Sequence, residues 1–173
     1  NRPELPEDLR SQFAFTREAT RAFNVPCIEV EGYEADDIIA SLADQGADAG
    51  FQVYVVSGDR DTFQLIRPET TILYPVKGVL NLARMDDAAV YEKYGVHAKQ
   101  YPDLAALVGE TSDNLPGVPG VGPKTAAKWL QAYGNLDGVL GAAAEITGKV
   151  GESLREHQGL AVRNRRLNHL VRD

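Results

Sequence analysis

The chain has 173 residues, of which 43% are hydrophobic and 25% are charged, and its formal net charge is −7. This composition is typical of a soluble globular protein with one sizeable core, and it excludes a disordered chain and a membrane-spanning protein. The single cysteine, Cys27, excludes an internal disulfide and fits a reducing compartment. The chain opens without a secretory signal. Because it begins with Asn1 rather than an initiator Met, we expect it to be a piece of a longer polypeptide.

The charge is spread unevenly along the chain. Residues 1–110 hold 19 acids and 10 Lys or Arg, a net −9, whereas residues 111–173 hold 6 acids and 8 Lys or Arg, a net +2. An acidic chain is a weak candidate for binding nucleic acid. That objection loses force where many of the acids are metal ligands, since bound cations reverse the local field.

In chain order, the first half alternates helices and strands. The spacing of apolar residues predicts an amphipathic helix over 6–23, a short strand over 27–31 and a helix over 33–48. The apolar run FQVYVV predicts a buried strand over 52–57 of the kind found in parallel sheets.

The rest of the chain is predicted to contain one strand pair followed almost wholly by helices. A short helix over 61–66 precedes an antiparallel strand pair, 70–75 and 78–83, that turns at Lys77-Gly78. Helices follow at 86–94, 99–108, 123–133, 136–143, 151–157 and 159–170. The order of elements predicts an α/β layer at the front with a helical subdomain behind it, and we place the boundary between residues 108 and 109.

Acidic residues form three groups near the predicted ends of strands and helices. They are Glu34, Asp36 and Asp37 in GYEADD, Asp59 and Asp61 in SGDRD, and Glu110 and Asp113 in GETSDN. The carboxyl edge of an open α/β sheet is where ligands bind. Each group also has a purely structural interpretation: acids in the first turn of a helix, turn formers after a strand, or a helix cap or Asx turn.

Considered together, the three groups predict a metal site. Two unit charges about 4 Å apart interact by about 4 kcal/mol at an effective dielectric constant of 20, so several ionised acids share a pocket only with cations between them. Carboxylate ligands without His or Cys select Mg²⁺ or Mn²⁺ over Zn²⁺. The three histidines, His97, His157 and His169, lie outside the acidic groups and are interpreted as ordinary surface residues. Paired divalent ions indicate hydrolysis of phosphodiesters.

The stretch LPGVPGVGPKTAAKWL, residues 115–130, predicts a helix–hairpin–helix. Gly120 and Gly122 allow backbone amides to approach a phosphate, Pro123 suits the first helical position, and Lys124 adds positive charge. A nucleotide-binding P-loop is rejected, because Pro123 interrupts the motif and no strand precedes it. A tight turn between helices without a binding role stays open as the alternative. The basic run RNRR at 163–166 is interpreted first as a solvated helix face, with contact to a nucleic-acid backbone as the alternative.

GYEADD, SGDRDTFQL and SDNLPGVPGVGPKTA, in this order, resemble the 5′ nuclease domain of bacterial DNA polymerase I and the related stand-alone flap endonucleases. The resemblance covers essentially the whole chain. It implies a Rossmann-like (PIN-like), mostly parallel sheet flanked by helices and a C-terminal helical subdomain with a helix-hairpin-helix (H3TH) motif. It also implies that the family's first strand and its basic gateway segment lie upstream of Asn1. Residues 1–108 would then be the remaining part of the nuclease core and 109–173 the DNA-binding subdomain.

The resemblance also implies a function, namely a Mg²⁺- or Mn²⁺-dependent 5′-3′ exonuclease and flap endonuclease that removes 5′ flaps and RNA primers in the bacterial cytoplasm. Its expected partners are branched or nicked duplex DNA, an RNA primer strand and a fused or separate DNA polymerase, and it has no membrane partner. The alternative is a nuclease-like module that binds branched DNA without cutting it.

The resemblance assigns roles to residues by motif position. The implied ligands of the first metal are Glu34, Asp36 and Asp37, and those of the second are Asp59, Asp61 and Asp113. Glu110 stands where many relatives have Asp and is included among the metal ligands. The hairpin is expected to bind duplex DNA and to hold a monovalent ion, K⁺. The expected DNA-binding residues are Gly117, Gly120, Gly122, Lys124, Thr125, Lys128 and, as the last gateway residue, Arg2.

Overall fold

The structure, a computed structural model, describes residues 6–78 and 80–172. Its helices are α1 (Glu7–Arg10), α2 (Gln12–Ala22), α3 (Ala35–Asp48), α4 (Asp87–Tyr94), α5 (Tyr101–Val108), α6 (Pro123–Tyr133), α7 (Leu136–Gly141), α8 (Gly148–Glu156) and α9 (Gln158–Leu167). Its strands are β1 (Val53–Val56), β2 (Thr70–Pro75), β3 (Leu82–Met85), β4 (Gly109–Glu110) and β5 (Leu115–Pro116). Short 3-10 helices span Arg60–Leu65, Ala98–Gln100 and Thr111–Asp113.

The main sheet has the order β1-β2-β3 and is mixed within the described residues. Strands β1 and β2 run parallel, with Val53 opposite Thr70, and β2 and β3 run antiparallel, with Ile72 opposite Met85. The parallel pair is joined by a connection that includes the 3-10 helix Arg60–Leu65. The α/β class is therefore confirmed, with helices flanking a small sheet and a helical half behind it.

The strand predicted over 27–31 is wrong, since this segment has no regular structure and exposes Ile28 and Val30. An isolated strand is unstable because its backbone groups need a neighbouring ladder. Among the described residues, β1 pairs only with β2, so no strand completes a ladder with 27–31. The acids of GYEADD therefore reach their position by a loop and the start of α3.

The second strand of the predicted hairpin lies further along the chain than expected. It spans Leu82–Met85 rather than 78–83, because the Val76 N–H donates to the Asn81 carbonyl at 3.0 Å and closes a wider turn. The buried side chain of Met85 then lies on the core side of β3.

The first predicted helix is divided at Ser11, whose hydroxyl donates to the Asp8 carbonyl at 2.9 Å. Neither α1 nor α2 buries a residue in the described structure. Helix α3 buries Ala40, Ala43 and Ala47, while Leu42 on its other face is 46% exposed. Small side chains at these positions allow α3 to lie close against the core.

Helix α5 connects the two halves of the molecule. All its residues except Val108 are buried, and it packs against α6, α9 and the 3-10 helix Arg60–Leu65. On the sheet side Phe63, which has no exposed surface, contacts the rings of Tyr74, Tyr94 and Tyr101 at centroid distances of 5.2–5.9 Å. One continuous core therefore fixes the end of β1 relative to the helical half.

Candidate active site and nucleic-acid interface

The acids after β1 are held by local hydrogen bonds. Asp59 caps the 3-10 helix Arg60–Leu65: its Oδ1 accepts from the Asp61 N–H at 2.9 Å, and its own N–H donates to Ser57 Oγ at 3.0 Å. The Thr62 hydroxyl donates to the Asp59 carbonyl. The turn-forming role considered for Asp59 is therefore real, and the bond from the Asp61 N–H fixes the direction of the Asp59 carboxylate.

The acids of GYEADD open helix α3. Glu34 is the N-cap residue, and its N–H donates to Asp37 Oδ2 at 3.2 Å. The other oxygen of the same carboxylate, Asp37 Oδ1, accepts from the Val171 N–H at 2.8 Å. Asp37 is thus oriented by one bond within its own turn and by a second from a segment 134 residues away.

Acids from all three sequence groups line one cavity of about 640 Å³, which we call the acid cavity. These residues are Glu34, Asp36, Asp37, Asp59, Asp61 and Asp113. The predicted convergence is therefore present in the fold, whereas the catalytic and metal-binding roles of the individual residues stay predictions.

The electrostatics of the acid cavity show how closely the groups meet. Burial raises the pKa of the Asp61 carboxyl to about 8, and the charges of neighbouring carboxylates, Glu110 first, add to the rise. Burial also raises the pKa of Asp36, with Asp59 as the first contributing charge. Asp61 Oδ1 is buried without a hydrogen-bond partner, which is a costly arrangement unless a cation or water completes it.

Glu110 lies behind the acid cavity rather than in its wall. It is 8% exposed and lines a separate cavity of about 300 Å³ together with Arg60 and Tyr101. Burial raises the pKa of Glu110, and the positive charge of Arg60 partly opposes the rise. Glu110 therefore acts on the acid cavity through its contact with Asp61.

The carboxylates of the acid cavity suit a hard divalent cation that water and substrate phosphates also help to hold. In residues 6–78 and 80–172, no three His, Cys, Asp or Glu side chains are grouped so as to hold one ion by themselves. Mg²⁺ is usually bound by one or two carboxylates together with water and substrate phosphates rather than by a cage of side chains. The unpartnered Asp61 oxygen and the six carboxylates of the lining fit such an ion.

A segment that the sequence did not suggest completes the acid cavity. Residues 168–172, which we call the strap, follow α9, and residues 168–171 of the strap line the cavity beside the six acids. Gln64 fastens the strap, since its amide donates to the Asn168 carbonyl at 2.9 Å and accepts from the Leu170 N–H at 3.2 Å. Arg166 and His169, both exposed, also line the cavity.

The hairpin before α6 has the predicted form. Gly122 is the N-cap residue of α6 and Pro123 occupies its first turn. Val118, Val121 and Leu130 are buried and fill the space between the helices. The helix ends at Gly134, which has a φ of 86°. The predicted bounds of this helix, 123–133, are confirmed.

The hairpin presents backbone donors and two lysines to solvent. In the described part of the chain, the N–H groups of Gly122 and Lys124 donate to no acceptor, as expected for a helix N-terminus. Lys124 and Lys128 are exposed and lie one turn apart on the same face of α6. Thr125, half-buried, donates its N–H to the Gly122 carbonyl at 3.0 Å.

The three hairpin glycines differ in their backbone conformation and surroundings. Gly120 is exposed with a φ of 79°, a conformation that favours glycine. A Cβ on Gly117 would lie 2.0 Å from the Val108 carbonyl oxygen, so Gly117 permits the hairpin to approach the end of α5. Gly122 has open space around its Cα. Of the remaining expected DNA-binding residues, Lys128 is exposed on α6, whereas Arg2 lies outside the described residues.

Two family models divide the chain between them. The model of the 5′-3′ exonuclease N-terminal resolvase-like domain matches residues 1–95, and that of the 5′-3′ exonuclease C-terminal SAM fold matches residues 96–173. The chain belongs to the 5′-3′ exonuclease family. The nuclease class that the acids and the hairpin predicted is thereby confirmed at the level of the family.

Similar proteins agree with this family. The chain is 51% identical to DNA polymerase I of Mycobacterium leprae and 44% identical to that of Bacillus caldotenax, over 100% and 99% of its length. It spans only about a fifth of those relatives, 19% and 20%. The fold matches the flap endonuclease of bacteriophage T5, solved as a pseudo-enzyme-product complex with DNA and metal ions, with a TM-score of 0.79 at 21% identity; the match covers 95% of this chain and 62% of that one. None of the helices that the structure describes is long and apolar enough to cross a bilayer.

Proposed function

We propose that the chain hydrolyses DNA phosphodiesters at 5′ ends and 5′ flaps, including flaps that carry RNA primers. The observation that carries this proposal is the lining of a single cavity by six carboxylates from three separate segments. Such a cavity repels a phosphodiester unless cations compensate its charge. Family membership and the T5 flap endonuclease fold support the choice of reaction.

We propose that Mg²⁺ or Mn²⁺ ions are held by carboxylates of the acid cavity, in two sets. The first set is Glu34, Asp36 and Asp37, and the second is Asp59, Asp61 and Asp113, with Glu110 behind Asp61. When bound, paired divalent ions activate a water at neutral pH and stabilise the leaving oxygen of the phosphodiester.

The protein's own contribution is orientation and charge. Asp37 is held at both oxygens and Asp59 by the Asp61 N–H, so neither carboxylate must reorganise when substrate arrives. Burial and the neighbouring carboxylates raise the pKa of Asp61 to about 8 in the metal-free protein, so a cation held there would compete with the Asp61 proton.

The hairpin is proposed to bind the backbone of the duplex beside the cut. The free N–H groups of Gly122 and Lys124 and the charges of Lys124 and Lys128 are suitable donors for phosphate oxygens. We include Gly117, Gly120, Thr125 and Arg2 in this interface, and K⁺ at the hairpin, as parts of the same proposal. These contacts would position the duplex without reading its sequence.

We propose that the chain works as the nuclease part of a longer DNA polymerase of the bacterial cytoplasm. The relatives above support this, because each aligns over nearly all of this chain and is about five times longer. Within the chain we assign residues 1–108 to the nuclease core and 109–173 to the DNA-binding subdomain.

Cleavage of a 5′-labelled flap duplex in Mg²⁺ tests the proposal. Wild type should release the flap, and Asp61→Asn should lose that activity while still binding the duplex. The same chemical change at Asp48, which is 69% exposed and paired with Arg67 away from the acid cavity, serves as the control and should leave cleavage unchanged. Cleavage by Asp61→Asn at the wild-type rate would refute the role of the acid cavity.

The second candidate is a module that binds branched DNA without cutting it. The observation that favours it is that the described side chains form no three-ligand group for an ion. Under this alternative, wild type would bind the flap duplex with equal affinity in Mg²⁺ and in EDTA and would release no product in either.

A further inference from the structure

A second large cavity lies beside the acid cavity, and its lining has the opposite charge. We call it the basic cavity; its volume is about 890 Å³. Its charged and titratable lining residues are Lys99, Arg165, Arg166, Arg172, His169 and one acid, Asp103. Four permanent positive charges against a single acid stand out in a chain whose net charge is −7.

The cations of the basic cavity divide into two kinds. Arg165 is held by Asp137 at 2.9 Å, and Arg172 by Asp44 at 3.3 Å. Lys99 and Arg166 are exposed and form no ion pair within residues 6–78 and 80–172. The fixed arginines therefore set the shape of the cavity, and the two unpaired cations are available to an anionic ligand.

The two cavities share a wall. Arg166 and three residues of the strap, His169, Leu170 and Val171, line both. Val171 also donates its N–H to Asp37 Oδ1 at 2.8 Å, so the shared wall is fixed to an acid of the first cavity. If a polymeric ligand placed one of its phosphates at the acids, its next phosphates would lie in the basic cavity.

We propose that the basic cavity binds the phosphate backbone of the single nucleic-acid strand that continues from the reacting phosphodiester, an inference that rests on the proposed nuclease function. The basic cavity adjoins the acid cavity through their shared wall, so a flexible single strand with one phosphate at the acids reaches the basic cavity directly. The lining has no Phe, Tyr or Trp for base stacking, so the contact is electrostatic and independent of sequence.

Binding of a labelled oligothymidylate, measured in EDTA over a range of salt concentrations, tests this inference. Each phosphate contact to a single strand adds about 0.7 to the slope of log K against log salt, so Lys99→Ala with Arg166→Ala should weaken binding and reduce the slope by about 1.4. Lys99→Arg with Arg166→Lys keeps both charges and should keep the wild-type slope. Duplex binding, which we assign to the hairpin, should change little.

The matched control is Lys77→Ala with Arg163→Ala, which removes the same charge from exposed positions outside both cavities. An unchanged slope in the Lys99/Arg166 variant, or an equal loss in the control, would overturn the inference. Displacement of the oligothymidylate by low millimolar inorganic phosphate would also overturn it, because the cavity would then be a site for a single phosphate.

The outcome is separable from that of the proposed function, because binding is measured without divalent ions. If the slope falls as expected but the protein cuts no flap in Mg²⁺, strand binding by the basic cavity is supported and the nuclease proposal is refuted. If wild type cleaves the flap but the slope is unchanged, the nuclease proposal is supported and strand binding by the basic cavity is refuted.

Discussion

The acid cavity and the glycine hairpin are constructed in opposite ways. The acid cavity brings together carboxylates from three distant segments, raises the pKa of Asp61 to about 8 and leaves one Asp61 oxygen without a partner. The hairpin is one contiguous stretch whose apolar residues are buried and whose free groups face solvent. The first region carries stored electrostatic cost that cations relieve, whereas the second is complete without a ligand. Under the proposed function, the acid cavity carries the chemistry and the hairpin holds the substrate.

The largest effect expected from this comparison is on the rate of cleavage. Asp61→Asn should lower kcat on a flap duplex by more than about 100-fold, since losing even an outer partner of a metal site costs 10–100-fold. The KM for DNA should change little, because the hairpin is intact. Steady-state kinetics in Mg²⁺ measure both constants, and a rise in KM at constant kcat would contradict the division of roles.

The complementary change in the hairpin should affect binding alone. Lys124→Ala with Lys128→Ala should raise KM for duplex substrates and leave kcat unchanged. Removing two phosphate contacts should reduce the salt slope of duplex binding by about 1.8. Gly122→Val with Lys124→Ala tests the backbone donors in addition, because Gly122 has room for a side chain at an ordinary φ of −95°. A salt slope equal to that of wild type would mean that the hairpin is only structural.

The strap provides a smaller and more local test. Gln64→Leu removes the two side-chain hydrogen bonds to the strap, one to the Asn168 carbonyl and one from the Leu170 N–H, and keeps the bond from Arg172 to the Gln64 carbonyl. We expect a loss of about 1–2 kcal/mol in the free energy of unfolding and, because Asp37 loses part of its support, a fall in kcat of about 10-fold. Chemical denaturation and cleavage assays measure the two effects. Gln131→Leu, which removes one bond from α6 to the Gly95 carbonyl, is the control and should lower stability without lowering kcat.

The pH dependence of stability should also distinguish the two regions. Between the unfolded pKa of Asp61, about 3.9, and its folded pKa of about 8, the folded protein binds the extra proton, so its stability falls as pH rises through this range. In EDTA, Asp61→Asn should flatten this decline and be more stable than wild type at pH 9. Thermal unfolding across pH measures it, and Lys124→Ala should keep the wild-type profile. An unchanged decline in Asp61→Asn would show that a group other than Asp61 binds the extra proton.

The hairpin could be predicted from the sequence almost residue by residue. Its signals are local: Gly122-Pro123 starts α6, Gly134 ends it, and the apolar Val118 and Leu130 are buried. The acids could be predicted as a set for the same reason, because each lies in a short motif at the end of an element. The placement of Glu110 behind Asp61, rather than in the cavity wall, depends on how β4 and the 3-10 helix pack and has no local signal.

The features that the sequence did not predict depend on distant contacts. The bond from the Val171 N–H to Asp37 joins residues 134 positions apart and involves a backbone group that every residue carries. The strand expected over 27–31 was wrong because an apolar alternation specifies a strand only where another strand pairs with it. His169 and Arg166 are exposed, as predicted, and nothing in their own sequence neighbourhood indicates that they line the acid cavity.

Calorimetric titration with Mn²⁺ tests the central claim most directly, namely that the acid cavity exists to hold divalent ions. Wild type and the Lys124→Ala, Lys128→Ala variant should bind Mn²⁺ with equal affinity, and Asp61→Asn should bind it at least about 10-fold more weakly. Equal Mn²⁺ affinity in wild type and Asp61→Asn, or no binding by wild type, would contradict the account.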